Sequence, residues 1–201
     1  MAQDLTVTGV ILAGGRASRM GGGDKGLMPL RDRALIEYVL QALAPQVEHI
    51  LINANRNQDR YRRYGFPVIS DRHADYLGPL AGIASALQET RSDCLLSVPC
   101  DGPWLPTDLR ERLQSALLRA DAEIACVSDG MRMHPVYALV RGDLQEPLAT
   151  YLEQGGRAVH RWFASRRLVQ VDFSDRPELF VNINTAEQLE EAASRLRKQT
   201  G

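Results

Sequence analysis

LAGGRASRMGGGDKG, residues 12–26, follows directly on the apolar run VTGVIL of residues 7–12. Six of its fifteen residues are glycine, and Arg16, Arg19 and Lys25 stand among them. Glycine loses more conformational entropy on ordering than any other residue, so a cluster this dense answers to a backbone need. A strand that ends in such a loop, with cations inside it, points to an anion approached closely by main-chain amides.

Beyond this stretch, short apolar runs alternate with longer helical patterns. LTVTGVILA, VEHILINA, FPVIS, CLLSVP, AEIACVS, HPVYALV, LVQVDF and FVNIN read as strands. Leu35, Ile36, Val39, Leu40 and Leu43 keep one helical face, as do Leu109, Leu113, Ala116 and Leu117. TAEQ, residues 185–188, fits a capping box that launches a last helix with Leu189, Ala192 and Leu196 on its apolar side. The alternation predicts an α/β fold, a three-layer sandwich with a mostly parallel, Rossmann-like sheet. HPVYALV and the later strands follow one another more closely and leave room for an antiparallel element. No repeat, low-complexity stretch or linker divides residues 1–201, so one domain is expected.

Composition narrows the function classes. The chain has 201 residues, 44% hydrophobic and 24% charged, which is globular. A formal net charge of −1 gives no global pull toward nucleic acid or an anionic membrane, so an anion site must be local. No apolar run approaches membrane-spanning length, and MAQDLTVTGV lacks the layout of a signal peptide; a cytoplasmic protein is expected. Cys94, Cys100 and Cys126 lie in apolar segments without CxxC spacing and read as buried reduced thiols.

In parallel α/β sheets ligands sit beyond the carboxyl ends of the strands. Those ends carry the glycine loop after the first strand, NANR (Asn53–Arg56) after the second, Asp71 after the third and PCD, ending at Asp101, after the fourth. FVNIN adds Asn182 and Asn184, which on a strand would point to one face. Two familiar glycine motifs fail here. Gly21, Gly23 and Gly26 satisfy GxGxxG, but too far past the strand end, and the second strand ends without a carboxylate for a ribose. A Walker A loop needs Gly-Lys-Ser/Thr, whereas Lys25 lies between Asp24 and Gly26. What remains is a long glycine loop whose amides line a polyphosphate, with Arg19 and Lys25 as counter-charges.

LAGGRASRMGGGDKGLMPL resembles the signature of nucleotidyltransferases with a GT-A-like α/β fold, and specifically of molybdenum cofactor guanylyltransferases. The resemblance continues through NANR, DRHADYLGPLAGIASAL, VPCDGPWLP, GMRMHPVYAL and FVNINTAEQL, covering essentially the whole chain. LAGG with a later lysine marks only the superfamily; RMGGGDKG together with PCDGP and FVNINT is more specific. Ala186 departs from a proline often found there, at a position alanine also suits.

The resemblance implies transfer of GMP from GTP to molybdopterin with release of pyrophosphate, aided by Mg²⁺. It carries nucleotide binding onto Leu12, Ala13, Gly14, Gly15, Lys25, Asn53, Asp71 and Asp101. Lys25, Arg19 and Asp101 are the expected catalytic residues, with Asp101 the metal ligand. Asp71 is our own choice for the carboxylate that accepts from guanine N1–H and N2, and Asn182 and Asn184 for the molybdopterin side. GTP and molybdopterin are the expected small-molecule partners, with transient contact to molybdenum cofactor insertion proteins or apo-molybdoenzymes, and neither nucleic acid nor membrane. A cytidylyltransferase, another nucleotidyltransferase, or a non-enzymatic nucleotide or cofactor carrier remain the alternatives.

Other features carry less. GPLAG (Gly78–Gly82) suits either ligand approach or close helix-on-sheet packing. His134 reads as a positioning or structural residue, and His49, His73 and His160 show no metal-ligand spacing. Trp104, Trp162 and Phe163 read as core, and RNQDRYRR as a solvated helix face.

Overall fold

The computed structural model describes residues 5–13, 23–72 and 78–199. Gly14, Gly15, Arg16, Arg19 and His73 lie outside them. Nine strands, seven α-helices and four short 3₁₀ turns occur among the described residues. In chain order the strands and α-helices are β1 (Val7–Leu12), β2 (Pro29–Leu30), β3 (Arg33–Ala34), α1 (Leu35–Leu43), β4 (His49–Asn53), α2 (Gln58–Arg62), β5 (Val68–Ile69) and α3 (Pro79–Glu89). Then follow β6 (Cys94–Pro99), α4 (Leu109–Arg119), β7 (Ile124–Ser128), β8 (Met133–Arg141), α5 (Gln145–Glu153), α6 (Val159–Ala164), β9 (Leu168–Asp172) and α7 (Ala186–Gln199).

Seven strands form one sheet in the order β5-β4-β1-β6-β8-β7-β9. The chain runs outward from β1 through β4 to β5, then returns to β6 on the other side of β1. The connections after β1 and β6 therefore diverge, which opens a crevice at their carboxyl ends. β8 is the antiparallel element, lying between β6 and β7, while β9 runs parallel to β7.

The pleat sorts the core into two layers. Val7, Ile11, Ile52, Leu96, Val98, Ala125 and Leu139 face α1 and α4, meeting Ile36, Val39, Leu43, Leu109, Leu113 and Leu117. Val10, Leu51, Leu95, Ile124, Cys126, Ala138 and Val140 face the other way, onto α3, α5 and α6. Trp162 and Phe163 are fully buried in that second layer, as core residues. α7 packs apart from both, on the small β2–β3 ribbon and Trp104.

Two sequence expectations need correction. FVNIN is no strand: Pro177–Phe180 forms a 3₁₀ turn and residues 181–184 run without a ladder. Its one sheet-like contact is to a loop, Ile183 N–H donating to Asp101 O at 2.9 Å. The TAEQ box then takes over, since Gln188 Oε1 accepts from Asn184 N at 2.7 Å and Thr185 N at 3.2 Å, and Thr185 Oγ1 accepts from Gln188 N at 3.2 Å. With local polar partners at hand, the segment has no need of a neighbouring strand. RNQDRYRR is likewise no simple solvated face, because Tyr61 within it is fully buried.

GPLAG resolves toward packing at Gly82. A Cβ there would stand 2.6 Å from Asn53 Oδ1 and 2.7 Å from Leu12 Cδ2, so α3 reaches the ends of β1 and β4 only because residue 82 has no side chain. Helix propensity alone favours alanine by about 1 kcal/mol. Overpacking against fixed neighbours outweighs it, so Gly82→Ala is expected to lower the unfolding free energy by a net ~1–2 kcal/mol in urea titration; a raised midpoint would show that α3 slides freely.

The three thiols supply a second test. Burial pushes the Cys94 thiol up to about 11 and Cys126 to about 12, and lifts Cys100 well above its usual value. Thiolate is the reactive form, so a thiol-specific chromogen at mildly alkaline pH should leave the native protein unreacted and label all three after denaturation. Rapid labelling of the native protein would place a cysteine at the surface.

Candidate functional site

Parallel pairing aligns the rim from which the site is built. Leu12 pairs with Asn53 of β4 on one side and Pro99 of β6 on the other. Ala13 N donates to Asn53 O at 2.8 Å and Cys100 N to Leu12 O at 3.2 Å, so the register continues one residue past the ladder. Asp71 follows β5, Asn53 ends β4, Leu12–Ala13 lead out of β1 and Asp101 follows β6. Three strand spacings of about 4.8 Å separate the outer two, about 14 Å in all, the scale of an extended nucleotide.

At the β5 end, Asp71 is held by two amides. Asn53 Nδ2 donates to Oδ1 at 3.0 Å and Asn55 Nδ2 to Oδ2 at 2.7 Å. Asn55 Oδ1 in turn accepts from Asp71 N at 2.8 Å. The carboxylate is thus oriented by two neutral donors. A carboxylate has about four acceptor sites, so about two stay open for a ligand. Asn55 was not singled out by the sequence; the repeat of asparagine in NANR, two residues apart at a strand end, was the available signal.

At the β6 end, Lys25 Nζ donates to Asp101 Oδ2 at 3.0 Å, and their side chains are 19% and 10% exposed. The same ammonium donates to Asn184 Oδ1. Asn184 therefore joins Lys25 and Asp101, and its Nδ2 donates to Asn182 O at 3.2 Å. Asn182 Oδ1 faces the Tyr137 hydroxyl at 3.4 Å. Asn182 and Asn184 thus face different partners, unlike residues on one strand face. Burial, then the Asp101 charge, drives the Tyr137 phenol far up, so it remains a donor.

Among the described residues no cluster of three or more carboxylates, histidines or cysteines could cage a metal. Asp101 Oδ2 and Asn184 Oδ1, converging on one cation, form an oxygen pair that suits a hard divalent ion completed by substrate phosphates.

The loop that carries Lys25 is anchored by residues the sequence reading passed over. Asp24 is buried, and its Oδ1 accepts from the Tyr61 hydroxyl at 2.5 Å while Oδ2 accepts from Asn57 Nδ2 at 3.0 Å. Burial first, with the hydrogen bond to Asp24 and that carboxylate's charge adding to it, pushes the Tyr61 phenol far above its usual value. A lone aromatic within the charged run RNQDRYRR was the signal in the sequence. His134 lies elsewhere, bonded through Nε2 to Asp129 Oδ2 at 2.7 Å and set among Tyr137 and Phe180. That bond, with the Arg132 and Met131 amides, holds the Asp129 carboxyl well below the usual range.

Comparison with known proteins bears on this arrangement. A family profile described as a MobA-like NTP transferase domain matches residues 9–172. A molybdenum cofactor guanylyltransferase of Shewanella sp. (strain MR-4) is 48% identical over 194 residues, covering 96% of this chain and 98% of the relative. One from Shewanella loihica is 50% identical over 182 residues, covering 90% and 93%. Among solved structures, molybdopterin-guanine dinucleotide biosynthesis protein A of Archaeoglobus fulgidus has the same fold, with a TM-score of 0.80 at 22% identity over 95% of this chain and 99% of that one. With a glycine loop after β1, a lysine–aspartate pair at the β6 end and relatives alike over nearly their full length, the chain is a nucleotidyltransferase and belongs to the molybdenum cofactor guanylyltransferase family.

Proposed function

We propose that the chain transfers the GMP moiety of GTP to molybdopterin, forming molybdopterin guanine dinucleotide and pyrophosphate, as a single cytoplasmic domain. The observation that carries this reading is the rim itself: an oriented Asp71 carboxylate at one end and the Lys25–Asp101 pair at the other, with the end of β1 between them. Guanine offers N1–H and the N2 amino group side by side, two donors that a carboxylate accepts together. Cytosine offers a single donor group on its pairing edge, which uses half of what Asp71 has open.

The terminal phosphate oxygen of molybdopterin attacks the α-phosphorus of GTP in line. The bond from that phosphorus to the bridging oxygen breaks, and the electron pair leaves with pyrophosphate. Such a transfer depends on positioning and on neutralising spread negative charge. Lys25 moves from Asp101 to the phosphates and offsets charge on the leaving side; Arg19 assists. Asp101 would hold Mg²⁺, which when bound would supply Lewis-acid stabilisation of the phosphate oxygens. Leu12, Ala13, Gly14 and Gly15 bring main-chain groups to the nucleotide, and Asn53 keeps Asp71 aimed at the base. Asn182 lies toward the pterin, with Asn184 at the boundary between the two substrates.

Incubation with molybdopterin, molybdate, Mg²⁺ and each labelled nucleotide in turn tests the reading. GTP alone should give a dinucleotide and pyrophosphate; product from CTP instead reassigns the base, and binding without pyrophosphate release makes the protein a carrier. Asp101→Ala should abolish turnover with the fold intact. Lys25→Ala should lower kcat by on the order of 10²-fold and weaken GTP while sparing guanosine. Near-wild-type product at saturating Mg²⁺ removes either residue from the reaction.

Asp71→Asn replaces one acceptor with an amide nitrogen facing other amides and guanine donors. It should weaken GTP by about 1.5–3 kcal/mol, and ITP, which lacks the N2 amino group, by less. Equal weakening in a titration of both nucleotides would assign Asp71 to the ribose or to the fold. Asn182→Asp should raise the KM for anionic molybdopterin and leave GTP affinity nearly unchanged; the reverse pattern would move residue 182 to the nucleotide half.

A further inference from the structure

The carboxylate next to Lys25 poses a physical problem. A buried negative charge one residue from the cation that meets a polyphosphate opposes anion binding, unless that charge is engaged elsewhere. Asp24 is such a group, its side chain only 2% exposed. It makes no side-chain capping bond to the turn it precedes, Lys25–Leu27, which is closed by main-chain bonds from Leu27 N to Asp24 O and from Met28 N to Lys25 O, each 3.1 Å. Its oxygens turn the other way, to Tyr61 and Asn57 around α2, with Arg56 Nε 3.8 Å from Oδ2. Arg56 Nη2 also donates to Gly23 O at 2.8 Å, fixing the backbone just before Asp24.

The Tyr61 hydroxyl touches the turn a second time. A Cβ on Gly26 would lie 2.7 Å from that oxygen and 3.1 Å from Cys100 Cβ. The turn therefore rests on the phenol from both sides of Lys25, with Asp24 gripping it before and Gly26 lying flat against it after. Cys100 ties the same seat to Asp101, its neighbour in sequence and the partner of Lys25. The lysine starts from a turn with little freedom to move.

We propose that Asp24 is a positioning residue for Lys25: seated on Tyr61 and Asn57, its carboxylate fixes the turn from which the ammonium reaches Asp101 and the nucleotide phosphates. This rests on the reading of Lys25 as a phosphate ligand. Displacement of a reacting or charge-bearing group by about 1 Å can cost on the order of 10²-fold in rate, so a seat of this kind has catalytic weight without touching substrate.

Tyr61→Phe removes only the hydroxyl. Calorimetric titration with GTP and with guanosine, alongside kcat and KM for GTP, compares wild type, Tyr61→Phe, Lys25→Ala and the double variant. Tyr61→Phe should weaken GTP about tenfold, the loss of one charge-assisted bond, while guanosine, which has no phosphate, binds as before. In the Lys25→Ala background the same change should add nothing, because the two act as a unit. Asn57→Ala should repeat the pattern and serves if Tyr61→Phe does not fold. A lowered melting temperature with unchanged GTP affinity, equal loss of GTP and guanosine, or additivity with Lys25→Ala would each overturn the proposal. Lys25→Ala with GTP affinity and kcat intact would instead refute the phosphate role of Lys25 and take the proposal with it.

Discussion

Leu12 is paired on both sides by parallel strands, with Asn53 and Pro99 as its partners, and the candidate residues at the strand ends, Ala13, Asn53 and Asp101, take their places from that register. Parallel ladders align strand ends that share a direction, so residues leaving β5, β4, β1 and β6 emerge along one line. A shift of one residue in the β1–β4 ladder would take Asn53 off the Ala13 amide, and one in the β1–β6 ladder would move Cys100 off the Leu12 carbonyl. The chain protects this register with buried alternation on both faces of β1 and with Gly82, which lets α3 lie against the very residues that end the ladder.

On that line and beside it, three aspartates engage their carboxylates in three ways. Asp71 is held by the amides of Asn53 and Asn55, neutral donors that orient its lone pairs and leave acceptor sites open for a ligand. Asp101 meets the Lys25 ammonium, a pairing that a divalent ion and phosphates can exchange for another. Asp24 is turned from the crevice toward Tyr61 and Asn57, where it shapes the backbone. The partner decides the chemistry in each case, since the side chain is the same. Charge-assisted bonds are shorter and stronger than neutral ones, so each aspartate is also a point of rigidity.

The site as a whole is a junction of local pieces. Lys25 comes from a single 3₁₀ turn, Asp101 from a strand end, and Asn184 from an unpaired segment held by Ile183 N to Asp101 O and by the Gln188 side chain. None of these elements could hold the lysine alone. With its backbone turn held, the four-carbon side chain swings only between Asp101 and the phosphates, which favours electrostatic catalysis by a preorganised group.

The seven strands of the main sheet, helices α1, α4 and α7, the alternating architecture and the strand-end positions of Asn53, Asp71 and Asp101 were legible from periodicity and from polar residues at the ends of apolar runs, whereas β2, β3, α5 and α6 were not. Such patterns are local, and burial of one face enforces them wherever the chain goes. FVNIN misled because an apolar alternation reads as a strand whether or not a neighbour exists to pair with it; here the 3₁₀ turn and the capping box claimed its polar groups first. Tyr61 and Asp24 are 37 residues apart, and their bond follows from the way α2 returns beneath the turn after β4. The sequence by itself determined which residues could carry charge to a nucleotide and on which kind of element each would sit. Only the tertiary structure decided which aspartate would meet the lysine, because the choice among equal carboxylates depends on distances and burial between elements remote in the chain.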